Sequence, residues 1–231
     1  MSRTIKEPDL RRAEIVDAAQ TLIYTKGYEQ MSIQDILDQL QISKGAFYHY
    51  FDSKQALLDA LIERMQAEAE HVIGPISADP TLPALEKMNR VFLTAARWKV
   101  AQKDYLMAIL RIWYADQKAI VRQKIQARLL KESGPLITDV IQQGVREGVF
   151  KTAYPEWIGE IAMGLVIALG DRYAEILLLD EDQSVGLERI QCINAAYTEA
   201  LERVLGAPPG SLELIDIDSL KRWFGSPPGG V

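Results

Sequence analysis

Residues 32–50 read SIQDILDQLQISKGAFYHY, and this stretch decides the fold of the N-terminal region. Ser32 is a typical N-cap, and the apolar residues that follow it at helical spacing predict a short helix over 33–40. Ser43 is a second N-cap only eleven residues later, and it predicts another short helix over 44–50. Two short helices joined by so brief a turn must cross at a steep angle. The stretch therefore predicts a helix-turn-helix, in which the second helix enters the major groove of DNA.

The second helix of this pair carries side chains that suit DNA. Lys44 can donate to guanine or phosphate, and Ala46 can touch a thymine methyl group. Tyr48 and His49 can donate to phosphates, which fixes the register of binding without reading sequence. Gly45 costs about 1 kcal/mol against alanine in a helix, which a close approach to another surface would explain. Including residues at helix N-termini, where amides favour phosphate, the predicted DNA contacts are Ser32, Ser43, Lys44, Gly45, Ala46, Tyr48, His49 and Lys54.

Each of these residues has a simpler interpretation when it is taken singly. Ser32 and Ser43 could serve only as helix caps, and His49 could be an ordinary surface histidine. Lys44 by itself carries no information. The DNA-binding hypothesis therefore rests on the joint pattern of two caps, a glycine and polar side chains on one short helix.

The flanking chain reads as further helices. Leu10–Lys26 carries an amphipathic apolar stripe, and Gly27 stops it. Asp52, with Gln55 in capping-box spacing, predicts the N-cap of a helix over 53–73, which Gly74-Pro75 and Asp79-Pro80 should end in a loop. No segment alternates convincingly between apolar and polar residues, so the predicted fold class is all-α. The other predicted helices span 83–101, 104–114, 117–147, where Pro135 introduces a kink or a split, 155–180 and 187–205.

Residues 43–58, SKGAFYHYFDSKQALL, strongly resemble the recognition-helix signature of the TetR family. The stretch 15–51 also fits the first three helices of that family, and 143–150 resembles the end of its seventh helix. Gln41 departs from the family pattern, which usually has glycine in this turn, and a left-handed backbone there would cost about 1 kcal/mol. The resemblance implies a homodimer, double-stranded operator DNA with dyad symmetry, and a small-molecule effector held in the C-terminal domain.

The resemblance and the helix pattern together predict three parts. Residues 9–70 form a three-helix DNA-binding domain with its helix-turn-helix at about 32–51, and residues 71–206 form a helical effector-binding and dimerisation domain. Residues 207–231 form a tail flanked by Pro and Gly, whose end after residue 224 should be frayed. Within the tail, residues 212–224 are acidic but carry Trp and Phe, so we expect a short flap packed on the body. A disordered tail is the alternative.

The predicted helices over 155–180 and 187–205 are candidates for a dimer interface. The first is apolar nearly all round, and a helix that is apolar on every side must be buried on every side. Two such helices from each subunit would form a four-helix interface, whose two-fold axis suits a palindrome. The alternative is the central helix of a monomer. The predicted interface residues are Ile161, Leu165, Leu169, Ile193, Tyr197 and Leu201.

The middle of the chain is rich in adaptable and aromatic side chains, which often line apolar pockets but more often form ordinary core. Few charges lie among them, so the effector should be mostly apolar or aromatic, with one or two polar groups met by a Tyr hydroxyl or a Trp indole. The predicted effector contacts are Phe92, Trp98, Met107, Trp113 and Tyr114.

The composition is that of a globular protein, with 48% hydrophobic and 25% charged residues over a length of 231. The formal net charge of −6 argues mildly against bulk binding of nucleic acid. Residues 1–64 are no exception, since eight basic residues face ten acidic ones. DNA binding must therefore rest on the local arrangement of a few side chains.

Several other classes of function find no support in the sequence. No apolar run approaches the roughly 20 residues of a membrane span, and the polar start does not read as a signal peptide. The lone Cys192 excludes an intramolecular disulfide, so we expect a cytoplasmic protein. Because no apolar run is long enough to span a membrane, we expect no membrane partner.

No catalytic constellation is evident either. His49 and His71 lie on separate predicted helices, and neither a metal-spaced cluster, a phosphate loop nor a nucleophile elbow occurs. We expect no catalytic residue, no metal and no cofactor. The rival hypotheses are a ligand-binding or adaptor protein that keeps the helix-turn-helix without specific DNA binding, and a helical enzyme.

Overall fold

The computed structural model describes residues 8–114, 119–179 and 187–224. Every regular element within those ranges is a helix, so the predicted all-α fold class is confirmed. The helices are α1 (Pro8–Lys26), α2 (Ile33–Leu40), α3 (Lys44–Tyr48), α4 (Lys54–Ala78), α5 (Ala84–Ala101), α6 (Lys103–Trp113), α7 (Ala119–Arg146), α8 (Pro155–Leu179), α9 (Leu187–Leu205) and α10 (Ile217–Phe224).

These helices form two compact units. The N-terminal unit contains the described residues up to Ala69 together with Asp104–Ile112, and the C-terminal unit contains Glu70–Lys103 and the described residues from Trp113 onward. This division differs in two places from the boundaries expected from the sequence. Most of α6 groups with the N-terminal unit, and the described part of the tail groups with the C-terminal unit. Residues 225–231 of the predicted tail lie outside the described residues.

The N-terminal unit is built around fully buried apolar side chains. Ile15 of α1, Ile36 of α2 and Phe47 of α3 are inaccessible to solvent, as are Leu57 and Leu58 at the start of α4. Each helix therefore contributes the apolar stripe that its sequence spacing predicts, and α1 packs against α2 and α2 against α3. Because the apolar side of α3 lies in this core, the opposite face of α3 points away from the core.

The C-terminal unit has its own core, in which α7 packs against α5 and α8, and α8 packs against α9. Met88, Ile141, Phe150 and Leu205 are among its most deeply buried large side chains. Gly159 allows α8 to approach α7 closely, because a β-carbon there would lie 2.0 Å from Thr138 Oγ1 and 3.1 Å from Thr138 Cα. The packing of these two helices therefore requires glycine at this position.

Two prolines lie inside helices. The sequence predicts that α4 ends before Gly74-Pro75, and this is wrong, because the helix continues through Pro75 to Ala78. Pro75 removes one backbone donor, and the Ser77 hydroxyl, which donates to Gly74 O at 2.9 Å, does not replace it. Ile76, however, packs on the core of the C-terminal unit. Tertiary packing thus outweighs the local cost of proline. Pro135 does not split α7, which is continuous across it.

The tail beyond α9 is ordered in its described part. Leu212, Leu214 and Leu220 are buried, and α10 packs against α5 and α9. The flap expected from the aromatic content of this segment is therefore present, and the alternative of a disordered tail does not hold for residues 211–224. None of the helices in the described ranges is long and apolar enough to cross a lipid bilayer.

Candidate nucleic-acid interface

The start of α2 is held by a reciprocal pair of hydrogen bonds. The Ser32 hydroxyl accepts from the Asp35 N–H at 3.1 Å, and the Asp35 carboxylate accepts from the Ser32 N–H at 2.8 Å. The Ser32 hydroxyl also donates to that carboxylate at 2.8 Å, so its proton is committed to the cap. Among the predicted DNA contacts, Ser32 is thus the one whose geometry favours the simpler interpretation of a helix cap.

Asp35 also joins α2 to the end of α1. Lys26 donates to its carboxylate at 2.6 Å, and this bond, with those from Ser32, lowers the pKa of Asp35 to about 2. A carboxylate with so low a pKa stays ionised at any physiological pH, and Lys26 offsets its charge. Sequence reasoning missed this ion pair, although the spacing of Ser32 and Asp35 is that of a capping box.

The turn between α2 and α3 has a left-handed residue. Gln41 has φ 53° and ψ 45°, and it is the only residue other than glycine with positive φ among the described residues. Its backbone N–H and that of Ile42 both donate to Leu37 O, and its side-chain Nε2 donates to Asp38 O at 2.6 Å. Glutamine therefore adopts the conformation expected of glycine, and its amide satisfies one carbonyl at the end of α2.

The five residues of α3 are fixed from both ends. The Ser43 hydroxyl accepts from the Ala46 N–H at 3.2 Å, which caps the first turn and leaves the hydroxyl proton free of that bond. Phe47 is fully buried, and its ring lies 5.9 Å from that of Phe51. A single turn of helix is unstable by itself, so this cap and this anchor determine where α3 lies.

The face of α3 opposite Phe47 is exposed. Lys44, Tyr48 and His49 are all accessible, and the Lys44 ammonium lies 5.8 Å from the centre of the Tyr48 ring. A cation and a phenol side by side can both donate to DNA. Ala46 is half-buried beside them.

Gly45 lies on this exposed face. A β-carbon at position 45 would meet no atom closer than the Ser43 hydroxyl at 4.0 Å. The fold of the chain itself therefore does not require glycine here, although glycine costs about 1 kcal/mol against alanine.

The start of α4 differs from the expected one. Ser53, not Asp52, supplies the side-chain cap, because its hydroxyl accepts from the Ala56 N–H at 3.0 Å. Gln55 donates to Asp59 at 3.1 Å rather than forming a capping box. Serine and aspartate are near-equal caps, so the choice between neighbours depends on where the helix enters the core.

Lys54 is the predicted DNA contact with the most internal partners. Its ammonium donates to Glu29 O at 3.3 Å and lies 4.3 Å from the centre of the Tyr28 ring. Burial, with the charges of Glu29 and Asp59, raises the pKa of Tyr28 to about 12, so the ring stays neutral beneath the cation. Binding of a phosphate by Lys54 would compete with these contacts.

The predicted effector contacts are not brought together as one group. Phe92 is part of the core of the C-terminal unit, Trp98 is half-buried there, and Met107 belongs to the N-terminal unit. The side chain of Trp113 lies outside the described part of the structure. Of the five residues, only Tyr114 has a side chain with a polar partner among the described residues. The sequence analysis did not predict this partner.

That partner is Asp171 of α8. The Tyr114 hydroxyl donates to one carboxylate oxygen at 2.6 Å, and Gln126 Nε2 donates to the other at 2.7 Å. The Arg122 guanidinium lies 4.8 Å from the centre of the Tyr114 ring. Burial, followed by the bond to Asp171, raises the pKa of Tyr114 above its ordinary value. The C-terminal unit thus holds a half-buried polar cluster beside an aromatic ring.

Two predicted interface residues need correction. Leu169 is 5% exposed and Leu201 is 1% exposed, and both belong to the core of a single chain, so neither can contact a partner. Leu165, Ile193 and Tyr197 are half-buried against the same core. A helix that is apolar all round does not reveal which stripe faces inward.

Of the predicted set, only Ile161 is exposed, at 51%. The exposed stripe of α8 also contains Trp157, at 63%, and two small residues, Gly164 and Ala168. Their positions follow the spacing of one helix face. On α9 the exposed residues of similar character are Cys192, Ala195 and Ala196. Of these exposed residues, the predicted interface contained only Ile161.

Within residues 8–114, 119–179 and 187–224, no group of three or more His, Cys, Asp or Glu side chains is placed to hold a metal ion.

Comparison with known families gives two matches along the chain. Residues 15–61 match the family described as bacterial regulatory proteins, tetR family. Residues 113–184 match the family described as Tetracyclin repressor-like, C-terminal domain. The first match contains α2 and α3, and the second contains α7 and α8. Both match transcriptional regulators rather than enzymes.

Relatives and solved structures agree with these matches. The transcriptional repressor KstR2 of Rhodococcus jostii is 27% identical over 151 residues, covering 62% of this chain and 69% of its own. The transcriptional regulator TtgR of Pseudomonas putida is 25% identical over 150 residues, covering 63% and 71%. A TetR-family regulator from Pectobacterium atrosepticum, 22% identical, superposes with a TM-score of 0.61 over 88% of this chain and 96% of its own. Its likeness concerns the fold.

The side chain of Gln41 should contribute to stability through its bond to Asp38 O. Gln41→Ala keeps the left-handed strain and loses the bond, so we expect the free energy of unfolding to fall by about 0.5–1 kcal/mol. Gln41→Gly loses the same bond but removes strain of about 1 kcal/mol, so it should unfold close to the wild type. Urea titration followed by circular dichroism measures both. Equal stability of the two variants would contradict this account of the turn.

Proposed function

Because the chain belongs to the TetR family, and is therefore a DNA-binding transcriptional regulator, we propose that it is a repressor that binds a palindromic operator as a homodimer. Regulators of this family act as dimers and respond to small molecules. We further propose that a mostly apolar effector, bound in the C-terminal unit, releases this chain from its operator. KstR2 of Rhodococcus jostii, a relative, is itself a repressor.

The exposed face of α3 is the part of the chain that we assign to the major groove. The observation that supports this assignment most directly concerns Gly45, which lies between Lys44 and Ala46. A β-carbon there would meet no described atom of the chain closer than 4.0 Å, so internal packing does not require glycine. A helix backbone without a β-carbon at this position can approach base edges closely. Lys44 then reaches guanine or phosphate, and Tyr48 and His49 reach the phosphate backbone. Ser43 has a hydroxyl proton available for a phosphate, whereas Ser32 and Lys54 have internal partners.

The dimer interface that we propose uses the exposed stripes of α8 and α9. Trp157 and Ile161 supply large apolar surface, and Gly164 and Ala168 allow two α8 helices to approach closely. Ala195 of α9 would extend the same surface. Exposed aromatic and aliphatic side chains together with small residues on one face favour burial against an identical face. The two-fold axis of such a dimer suits a palindromic operator.

The effector proposal rests on the polar cluster at Tyr114. Asp171 accepts hydrogen bonds from Tyr114 and Gln126, and the core of the C-terminal unit is made of apolar side chains. A largely apolar ligand with one hydroxyl or amide group could exchange a hydrogen bond with this cluster. Such a ligand shifts the chain away from operator only to the extent that it prefers the released state. A tenfold loss of operator affinity needs about 1.4 kcal/mol of coupling.

Gly45→Ala should change stability and DNA binding in opposite directions. The β-carbon meets open space, so the helix should gain about 1 kcal/mol of stability. The same β-carbon should weaken binding to DNA flanking the protein's own gene at least tenfold, because it separates α3 from the groove. Urea unfolding and a gel shift measure the two effects.

Gly170→Ala is the matched control for this test. Gly170 is also a helical glycine whose β-carbon would meet nothing within 4 Å, but it lies on α8. We expect it to gain stability and to keep wild-type operator affinity. If Gly45→Ala also kept wild-type affinity, α3 would not be the helix that reads DNA.

Ile161→Asp should disrupt the dimer. A carboxylate in an apolar interface costs several kcal/mol when nothing pairs with it, so light scattering should report a monomer. Ile217→Asp is the control, since Ile217 is 40% exposed but lies on α10, which is not part of the proposed stripe. It should leave the dimer intact. A folded Ile161→Asp dimer would place the interface elsewhere.

The effector site can be tested with a panel of small phenols and apolar aromatics. Ligands that quench tryptophan fluorescence should also weaken the operator complex. Tyr114→Phe should reduce affinity at least fivefold for members that carry a hydroxyl group, and leave affinity for purely apolar members unchanged. Trp98→Phe should reduce the quenching itself. Unaltered quenching and affinity in both variants would mean that the effector binds away from these residues.

A further inference from the structure

The residues that follow α9 form a strap along α5. We define the strap as Ser211–Phe224, which includes α10. Asn89 of α5 binds the start of the strap through its side-chain amide. Its Nδ2 donates to Ser211 O, and its Oδ1 accepts from the Glu213 N–H, each at 2.9 Å. A paired amide contact of this kind recognises extended backbone rather than any side chain.

A buried carboxylate anchors the approach to the strap. Glu202 of α9 is almost fully buried, and its two oxygens accept from the backbone N–H groups of Gly210 and Leu212 at 2.9 Å each. A buried carboxylate is tolerated only when hydrogen bonds satisfy it. Because the strap supplies one of these donors and Gly210 supplies the other, Glu202 and the docked strap depend on each other.

The far end of the strap meets the first residue of α6. Lys103 donates to Arg222 O at 2.6 Å and Trp223 O at 3.2 Å, and its ammonium lies 5.6 Å from the Trp223 ring. A cation at a helix N-terminus is disfavoured by the dipole of its own helix. The carbonyls at the C-terminal end of α10 carry the opposite partial charge and offset that cost. The docked strap therefore stabilises the first turn of α6.

The position of Lys103 in the fold gives this contact its importance. Lys103 belongs to the C-terminal unit, whereas the next nine residues of the same helix, Asp104–Ile112, belong to the N-terminal unit that contains the helix-turn-helix. Within that unit, Tyr105 packs against Tyr24 of α1 at 5.5 Å between ring centres. Order at the start of α6 can thus pass along one continuous helix into the DNA-binding unit.

We propose that the strap is a regulatory clasp, and that Lys103 is the positioning residue through which it holds α6 in the arrangement that binds operator. Loss of the clasp loosens α6, and DNA must then restore that order when it binds, so operator affinity falls. The proposal rests on the proposed function for its DNA readout. The coupling between the strap and α6 does not depend on the proposed function.

Hydrogen exchange tests that coupling without DNA. In full-length Lys103→Ala, amides of α10 should exchange at least tenfold faster, and those of α6 from Met107 onward at least threefold faster. Lys103→Arg should restore protection, because a guanidinium can donate to the same carbonyls. Lys221→Ala, which removes an exposed lysine from α10, should exchange as the wild type does. Faster exchange in α10 with no change in α6 would overturn the proposal.

Operator binding completes the test, with DNA flanking the protein's own gene as the probe. Lys103→Ala should weaken binding at least threefold, and a chain ending at Gly210 should weaken it by a similar factor. Combining the two changes should weaken operator binding no further than either change alone, since both act through one contact. Unchanged or tighter binding by Lys103→Ala would overturn the proposal even if the shortened chain failed to fold. If the wild type itself ignored this DNA, the proposed operator function would fail, and the exchange result alone would decide the clasp.

Discussion

A helix of five residues cannot hold itself in place, and the surface that we propose for DNA binding depends on the contacts that fix α3. Ser43 caps its first turn, Phe47 anchors it in the core, and the left-handed Gln41 sets the direction in which it leaves α2. Each contact acts on the backbone or on the buried face. The exposed face, with Lys44 and Gly45, takes no part in these three contacts, and it is the face that we propose for DNA recognition.

The charge of the chain makes this local arrangement more important. With a net charge of −6, long-range attraction to DNA cannot come from the protein as a whole. The carboxylate of Asp35, at the start of α2, is paired with Lys26. Recognition then depends on a few donors placed accurately, and this is why the caps and the turn matter more here than in a strongly basic domain.

The C-terminal unit shows how polar contacts organise an apolar core. Glu202 and Asn89 bind the backbone of the strap, and Lys103 joins its end to α6. The cluster of Asp171 with Tyr114 and Gln126 satisfies its own hydrogen bonds in the same way. Buried polar groups must find partners, so each of them specifies one arrangement of the elements around it.

The sequence by itself determined the all-α fold, the two caps around the turn and the TetR family, because caps and helical periodicity are local signals carried by neighbouring residues. It also indicated the ordered flap, through aromatic residues in an acidic segment. Only the tertiary structure decided that α4 continues through Pro75, that Ser53 rather than Asp52 caps it, and that Leu169 and Leu201 face the core while Trp157 and Ile161 face outward. Those outcomes depend on which stripe of a helix meets its neighbours, and residues distant in the chain set that choice.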